Sequence, residues 1–455
     1  MAASEQKTKP LHIWFTQDAL DGDNLSSARG VALYAQAEAV KRGCPVLVFV
    51  DVSTAMRDFS RPRYNLARGE EMNGEPLQIP NVGIKKMLSD NKLLDFKSDP
   101  DLMIDSELAQ EFDGRLLLLA MKSALSRDSS TVELIPVRGE ITRQGLWDNI
   151  VPNTHFYVDL STATARTWDE VQRLEAENEP FPADKKYKTY SAAAEGEDQR
   201  IKRRENHRRF ITGQIRGELK FLDVNVAVRR MVEEEVSADV EIVICAPMGS
   251  VQKLLRALEG TPERVTKIVG DVLTTDPKDN LVGQQWNEYL DQAAAQAVIA
   301  MIQSNTLWRG RSTFVTTQLL KHNELVQALV QRINDAAALQ PLENVVAGFQ
   351  VNWNKAKSRP QPIYDPAAVL LLQQPDIFKK VRFTVNVSNP SQFLFTAPAV
   401  DGISVAGIAV VGADGINVAN APKMEAFYRT CYDLPLLPPR CCCNSRIFLK
   451  KSASP

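Results

Sequence analysis

A cluster of aspartates directly after the first strand-like run is the best candidate for chemistry in this sequence. Residues 11–30 read LHIWFTQDALDGDNLSSARG, and the cluster consists of Asp18, Asp21 and Asp23. Carboxylate oxygens are the ligands that Ca²⁺ and Mg²⁺ prefer, so the cluster is a candidate metal or catalytic site. The pattern D-x-x-D-G-D lacks, however, the later ligands and the bidentate glutamate of a calcium-binding loop.

The same cluster has a structural interpretation, in which it starts a helix. Apolar and small residues recur at helical spacing from Leu25 to Arg42. The side chain of Asp23, Asn24 or Ser26 would cap that helix, and carboxylates beside its first turn would complement the helix dipole. This interpretation accounts for every residue of the loop, whereas the metal interpretation does not.

Two further loops follow strand-like runs. The stretch DVSTAM, with Asp51 and Ser53, resembles the start of the von Willebrand A metal site D-x-S-x-S, although Ala55 replaces its second serine. The turn APMGS, with Gly249 and Ser250, joins a strand to a helix amino terminus, where backbone N–H groups attract anions. It matches neither the Walker loop nor the dinucleotide fingerprint, because it has one glycine and no following lysine.

Nucleophile motifs are missing from the sequence. G-x-S-x-G does not occur, and the four histidines have no recognisable serine or cysteine partner. Cys44 and Cys245 are expected to be buried free thiols in apolar runs. Cys431 and the run Cys441–Cys443 are expected in an exposed tail, with palmitoylation of the triple cysteine as an alternative. Adjacent cysteines do not have the spacing of a zinc site, and we expect no cofactor.

The overall charge does not favour a polyanionic partner. The chain has 455 residues, with 54 Lys and Arg against 56 Asp and Glu. Nucleic acid is therefore not an expected partner. The N-terminal MAASEQKTKP lacks the apolar core of a signal peptide, and no run is long and apolar enough for a membrane span. We expect a soluble protein in the cytoplasm or in an assembled particle, with no membrane partner.

One local basic cluster stands out in a highly charged stretch. It consists of Arg200, Arg203, Arg204, Arg208 and Arg209. Such a cluster could contact a polyanion or a neighbouring subunit. Interleaved acidic residues, such as Glu195, Glu197, Asp198 and Glu205, would neutralise part of it, so a solvated helical face is the alternative.

Hydrophobic periodicity predicts an α/β fold. A strand at Leu11–Thr16, a helix at Leu25–Arg42 and an apolar strand at Val46–Val50 indicate a parallel sheet covered on both faces. We predict two α/β units with mixed or parallel sheets, followed by a helix and a β-rich C-terminal region. The predicted segments are an N-terminal α/β domain (1–165), a charged linker or helical arm (166–220), a second α/β unit with long helices (221–340), a β-rich assembly region (341–421) and an irregular tail (422–455).

The C-terminal part resembles the terminal domain of contractile phage tail sheath proteins. The resemblance rests on the helix NELVQALVQRINDAAAL, then VVAGFQVNWN, then FKKVRFTVNVSNPSQFLFTA. The upstream segment SADVEIVICAPMGSVQKLLRALEGTPERVTKIVGDV is similar to the α/β core of the same family. The resemblance implies a non-enzymatic, self-assembling structural protein of a virion, whose partners are copies of itself and other structural subunits.

A second functional hypothesis remains open beside this one. In it the protein is an α/β enzyme or a small-ligand or metal-binding protein that uses the strand-end loops at Asp18–Asp23 and Asp51–Ser53. Formation of rings or tubes by the purified protein would favour the first hypothesis. Stabilisation by a divalent ion, nucleotide or phosphate would favour the second.

Overall fold

The computed structural model of the protein describes residues 9–17, 22–54, 114, 117–118, 120–126, 131–141, 154–156, 189–191, 220–234, 236–272, 285, 287–288, 291–316, 324–340, 346–347, 364–385, 395–398, 402–406 and 420–436. Within these ranges, most strands belong to one sheet of ten strands. The strands are β1 (Leu11–Gln17), β2 (Val46–Thr54), β3 (Val132–Ile141), β4 (Thr154–Phe156), β5 (Thr189–Ser191), β6 (Leu222–Asp223), β7 (Asp239–Ile244), β8 (Val265–Asp271), β9 (Ser312–Val315), β10 (Lys380–Val385), β11 (Phe395–Pro398) and β12 (Ile403–Ala406).

The large sheet is mostly parallel and has the order β11-β10-β12-β9-β8-β7-β1-β2-β3-β6. Only β10 runs antiparallel to its neighbours β11 and β12 among the described pairings of this sheet. Strands β4 and β5 form a separate antiparallel pair. The predicted α/β fold class, with a mixed and mostly parallel sheet, is therefore confirmed.

Helices cover both faces of the sheet. They are α1 (Gly22–Arg42), α2 (Val224–Arg229), α3 (Gly249–Leu258), α4 (Gln292–Ser304), α5 (Thr306–Arg311), α6 (Glu324–Ala338), α7 (Asp365–Gln373) and α8 (Ala421–Cys431). Side chains of α1, α6, α7 and α8 form one apolar layer against the sheet, and those of α2, α3 and α4 form the other. Strand β1 is buried along its whole length because it lies between these two layers.

The apolar runs explain why the central strands form where they do. In β1, Ile13 and Phe15 face the α1 layer while Trp14 faces the α3 layer. Such a strand is apolar on both faces, which is the signature of a buried parallel strand. The predicted end of α1 is also found, because Gly43 has φ of 64° and its N–H donates to the carbonyl of Ala39 at 2.9 Å.

Several local predictions need correction. Helix α1 begins at Gly22, so Asn24 and Ser26 lie inside it and are not caps in front of Leu25. Helix α8 occupies a region predicted to be irregular, and it buries Cys431 completely. Part of the region predicted to be β-rich (341–421) is helical, since residues 346–347 have helical backbone and α7 spans Asp365–Gln373.

Strands from three of the five predicted segments pair in the same large sheet. These segments are 1–165, 221–340 and 341–421. The pairing does not locate a domain boundary, and the five segments stay a prediction. Among the described residues, no helix is both long enough and apolar enough to cross a membrane.

Candidate functional site

The order of the strands creates a topological switch point between β1 and β7. From β1 the chain adds β2, β3 and β6 on one side, and it then returns to add β7, β8 and β9 on the other. The helix after β1 packs on one face of the sheet, and the helix after β7 packs on the opposite face. Neighbouring connections therefore diverge at the carboxyl ends of β1 and β7, which is where open α/β sheets form ligand crevices.

Thr16 joins the two strands at the floor of this switch-point crevice. Its Oγ1 accepts a hydrogen bond of 2.9 Å from the backbone N–H of Cys245, just past the end of β7. The same hydroxyl lies 3.4 Å from the carbonyl oxygen of Val243, to which it donates. Thr16 is fully buried, so this contact fixes the spacing of β1 and β7 where their connections separate.

On the α1 face of the crevice, four polar side chains form a buried network that we call the Asp23 cluster: Gln17, Asp23, Asn24 and Asp365. Asn24 Nδ2 donates to Asp365 Oδ2 at 2.8 Å and also contacts Gln17 Oε1. Asp23 Oδ2 accepts hydrogen bonds from the backbone N–H groups of Tyr364 (2.7 Å) and Asp365 (3.3 Å). The first turn of α1 thus holds the amino terminus of α7 against the end of β1.

On the opposite face, four residues from three elements form the Asp51 cluster: Trp14, Asp51, Ser53 and Ser250. The carboxylate of Asp51 is fully buried, and it accepts hydrogen bonds from Trp14 Nε1 at 3.0 Å and from Ser53 Oγ at 3.2 Å. Ser250, in the first turn of α3, also donates to Asp51. Asp51 of the DVSTAM stretch and Ser250 of the APMGS turn therefore meet at one edge of the sheet.

A third group of buried polar residues follows the carboxyl end of β8. Gln285 Nε2 donates to the carbonyl oxygen of Asp271 at 3.1 Å, and its Oε1 accepts from the backbone N–H of Glu288 at 3.2 Å. Asn287 is also buried. Sequence reasoning missed this group, because residues 284–288 (QQWNE) resemble the exposed start of a helix. The only sequence feature that could have indicated this buried group is a polar run directly ahead of an apolar helix.

The predicted metal site remains a prediction. Asp18 and Asp21 lie outside the described residues, and Asp23 interacts with the amino terminus of α7. Among the residues that the structure describes, no group of three or more His, Cys, Asp or Glu side chains is placed to hold a metal ion. Asp51 and Ser53, the other proposed metal ligands, are joined by a hydrogen bond of 3.2 Å, and Asp51 also accepts hydrogen bonds from Trp14 and Ser250.

Two further predicted groups fall in parts of the chain outside the described ranges. These are the basic cluster of Arg200, Arg203, Arg204, Arg208 and Arg209, and the run Cys441–Cys443. Contact of the basic cluster with a polyanion or another subunit, and self-association of the chain, stay predictions.

Comparison with known proteins gives only structural matches. No protein-family model matches the chain, and no curated protein matches it. The chain is similar to the inosine-uridine preferring nucleoside hydrolase from Bacillus anthracis, with 10% identity, a TM-score of 0.40, and 93% of this chain and 99% of that chain covered. An inosine-guanosine nucleoside hydrolase matches with 10% identity, a TM-score of 0.45 and the same coverage. The type III effector XopQ complexed with adenosine diphosphate ribose matches with 12% identity, a TM-score of 0.40, and 93% of this chain and 94% of that chain covered.

These matches correct the main functional prediction. The similar structures are nucleoside hydrolases and an effector protein, so the resemblance to tail sheath proteins and the non-enzymatic structural function drawn from it are wrong. The arrangement of the C-terminal strands explains the error physically. Strands β10 and β12 pair with each other, and β12 pairs with β9 inside the large sheet, so these strands extend an α/β core. The likeness assigns no activity and no substrate to this chain.

Proposed function

We propose that this protein is an α/β enzyme or small-ligand-binding protein whose ligand binds in the switch-point crevice. The observation that carries the proposal is the convergence of buried polar side chains at the carboxyl ends of β1 and β2. The Asp23 cluster lies on one face there and the Asp51 cluster on the other. Open α/β sheets bind ligands at this position because the diverging connections leave room outside the strand ends.

The chemistry of the two clusters favours a small polar ligand. The clusters contain three carboxylates that are at most 7% exposed: Asp23, Asp365 and Asp51. Burying a charged group lowers the stability of the native state unless hydrogen bonds or an opposite charge compensate for the lost water. Ligand hydroxyl groups can donate hydrogen bonds to carboxylates and amide oxygens of this kind. The backbone N–H groups at the amino terminus of α3, beside Ser250, are additional donors for an anionic group.

A narrower form of the proposal includes a divalent cation. Asp18 and Asp21 directly precede the Asp23 cluster in the sequence, so a hard cation could bind to their carboxylates together with that of Asp23. Such a cation would offset the negative charge of this part of the crevice. The cation and the organic ligand are separate probes, and each can bind in the absence of the other.

Thermal denaturation of the full chain tests the proposal directly. The names of the similar structures supply the organic probes: inosine, uridine, guanosine and adenosine diphosphate ribose. Each would be added with and without Ca²⁺ or Mg²⁺, and release of free base from the nucleosides would distinguish an enzyme from a binding protein. A ligand at 100 times its dissociation constant stabilises the native state by about 2.7 kcal/mol. If none of these probes shifts the melting temperature, the proposal has no support.

A substitution in the Asp23 cluster tests whether the ligand binds in the crevice. Asp365→Asn keeps the shape of the side chain but removes its charge, so it should abolish or strongly reduce the ligand-induced shift. Asp239→Asn is the matched control, because Asp239 lies at the opposite end of the strands, where it pairs with Arg42 at 2.8 Å. An equal loss of shift in both variants would point to a general effect on the fold and not to the crevice.

A further inference from the structure

The hydroxyl group of Tyr428 is a buried polar group that the core does not use. Tyr428 lies in α8 and is 1% exposed. Its hydroxyl oxygen has no hydrogen-bond partner among the described residues. A buried hydroxyl without a partner destabilises the native state, so a phenylalanine would pack at this position at lower cost.

Helix α8 packs directly on α1, on the same face of the sheet as the Asp23 cluster. A Cβ atom on Gly30 would lie 3.0 Å from Cys431 Sγ and 3.4 Å from Phe427 Cζ, so the two helices touch at this glycine. The end of α8 is held by the ion pair between Arg29 and Asp433, at 2.9 Å. Tyr428 shares its apolar layer with side chains of α1 and α7, the two helices whose amino termini form the Asp23 cluster.

Two acidic side chains from the carboxyl edge of the sheet act on this hydroxyl. Burial raises the pKa of Tyr428 well above its ordinary value, and the Cys431 thiol and the carboxylates of Asp23 and Asp271 raise the pKa further. Asp23 belongs to the Asp23 cluster, and Asp271 is the last residue of β8. The phenol therefore keeps its proton at neutral pH and is a donor next to groups that only accept.

We propose that Tyr428 contacts the ligand, donating its hydroxyl hydrogen to an oxygen atom of a hydroxyl-bearing ligand in the switch-point crevice. This inference rests on the proposed function, because it requires that the crevice binds a ligand. It adds a specificity-determining residue from the last described helix, far in sequence from the loops that suggested the site.

The donor and acceptor pattern selects the class of ligand. Ionised carboxylates such as that of Asp23 can only accept hydrogen bonds, while the Tyr428 phenol can donate one. A single ligand group that satisfies both must donate one hydrogen bond and accept another. An alcohol has this property, whereas an ether or carbonyl oxygen can only accept and an ammonium group can only donate.

The test compares Tyr428→Phe with Tyr34→Phe, using inosine as the probe. Tyr428→Phe removes only the unpartnered hydroxyl, so the free protein should melt at the same temperature as wild type or higher. Its affinity for inosine should be about tenfold lower, as expected for one lost hydrogen bond. Tyr34 is the control, since its hydroxyl donates to Glu241 at 3.1 Å and accepts from Lys267 at 2.7 Å. Tyr34→Phe should lower the melting temperature and leave the affinity unchanged.

The possible outcomes separate this inference from the proposed function. If wild type binds inosine and Tyr428→Phe binds it equally well, the inference is overturned and the proposed function stands. A clear loss of melting temperature in free Tyr428→Phe would also overturn the inference, because the hydroxyl would then have a structural partner. If wild type responds to none of inosine, uridine, guanosine or adenosine diphosphate ribose, both proposals fall together.

Discussion

Asn24 donates a hydrogen bond of 2.8 Å to the carboxylate of Asp365, which lies 341 residues later in the chain. Both side chains are buried, and the bond ties the first turn of α1 to the first turn of α7 at the carboxyl edge of the sheet. The crevice is therefore closed on this face by an interaction between the beginning and the end of the fold.

This interaction predicts a large effect for a small substitution. Asn24→Ala removes a donor from a buried carboxylate, which should lower the free energy of unfolding by roughly 1.5–3 kcal/mol. Gln36→Ala on the same helix is the control, because Gln36 makes an exposed hydrogen bond to Ser126 at 2.7 Å. The free energy of unfolding of Gln36→Ala should stay within about 0.5 kcal/mol of the wild-type value. Urea denaturation measures both, and equal losses would show that the link to Asp365 is not stabilising.

A second prediction concerns the space beside Asp51. A Cβ atom on Gly139 would collide with the Asp51 carboxylate and with Ser53, whereas one on Gly260 would meet nothing within 4 Å. Gly139→Ala should therefore destabilise the protein by roughly 1–3 kcal/mol, as overpacking does in other cores. Gly260→Ala should be neutral or stabilising. Thermal melts of the two alanine variants check the prediction, which fails if Gly139→Ala melts like wild type.

The central fold was predictable because its strands carry strong local signals. The run Val46–Val50 in β2 is continuously apolar, and the runs at β1, β7 and β8 are mainly apolar; such runs identify strands buried on both faces. Gly43 and Pro45 marked the end of α1 in the same way. These signals are local, so they predicted the elements and the α/β class but not the order of the strands.

Helices α7 and α8 were missed for physical reasons. Helix α7 reads DPAAVLLLQ and is buried from Asp365 to Leu372, so it has no polar face to produce a helical period. Helix α8 falls in the segment 422–455, which was predicted to be an irregular tail, and it contains Pro422. The proline lies in the first turn of the helix, where its missing N–H has no cost.

The candidate site was predictable only in part. The loops with Asp23, Asp51 and Ser250 were recognised because they follow apolar runs. Their partners were not, since Asp51 and Ser250 are 199 residues apart and no local spacing relates them. Nothing in the sequence indicated a role for Tyr428 at the site, because a tyrosine in a helical segment is ordinarily part of an apolar core.

Thr16 provides a third prediction, at the switch point itself. Thr16→Val keeps the shape of the side chain but removes the acceptor that the N–H of Cys245 uses, which should cost roughly 1–3 kcal/mol. Thr16→Ser keeps the hydroxyl and loses one buried methyl group, about 0.8 kcal/mol. The valine variant should therefore be the less stable of the two in urea. If the serine variant is equally unstable, packing and not the hydrogen bond holds β1 and β7 together.

The last prediction is a dependence of stability on pH that comes from Glu241. This residue is 1% exposed, and burial raises its pKa even though Lys267 and the hydrogen bond from Tyr34 act to lower it. Between the ordinary glutamate pKa and the raised native value, the native state binds more protons than the unfolded state. The contribution of Glu241 to the free energy of unfolding must then fall as pH rises through this window. Glu241→Gln should remove that decline, so the variant should gain stability relative to wild type as pH rises from about 4 to about 8.

Glu38 is the matched control because its contribution has the opposite sign. Burial acts to raise the pKa of Glu38, but hydrogen bonds from Lys41 and Arg42 outweigh burial and lower it. Its stabilising contribution is present above the ordinary glutamate pKa and is lost as pH falls through the lowered native value. Glu38→Gln should therefore lose stability relative to wild type as pH rises. Urea denaturation measures both differences, from about pH 4 to about pH 8 for Glu241→Gln and from about pH 2 to about pH 5 for Glu38→Gln. Slopes of the same sign in the two variants would contradict the assignment of the buried charge to Glu241.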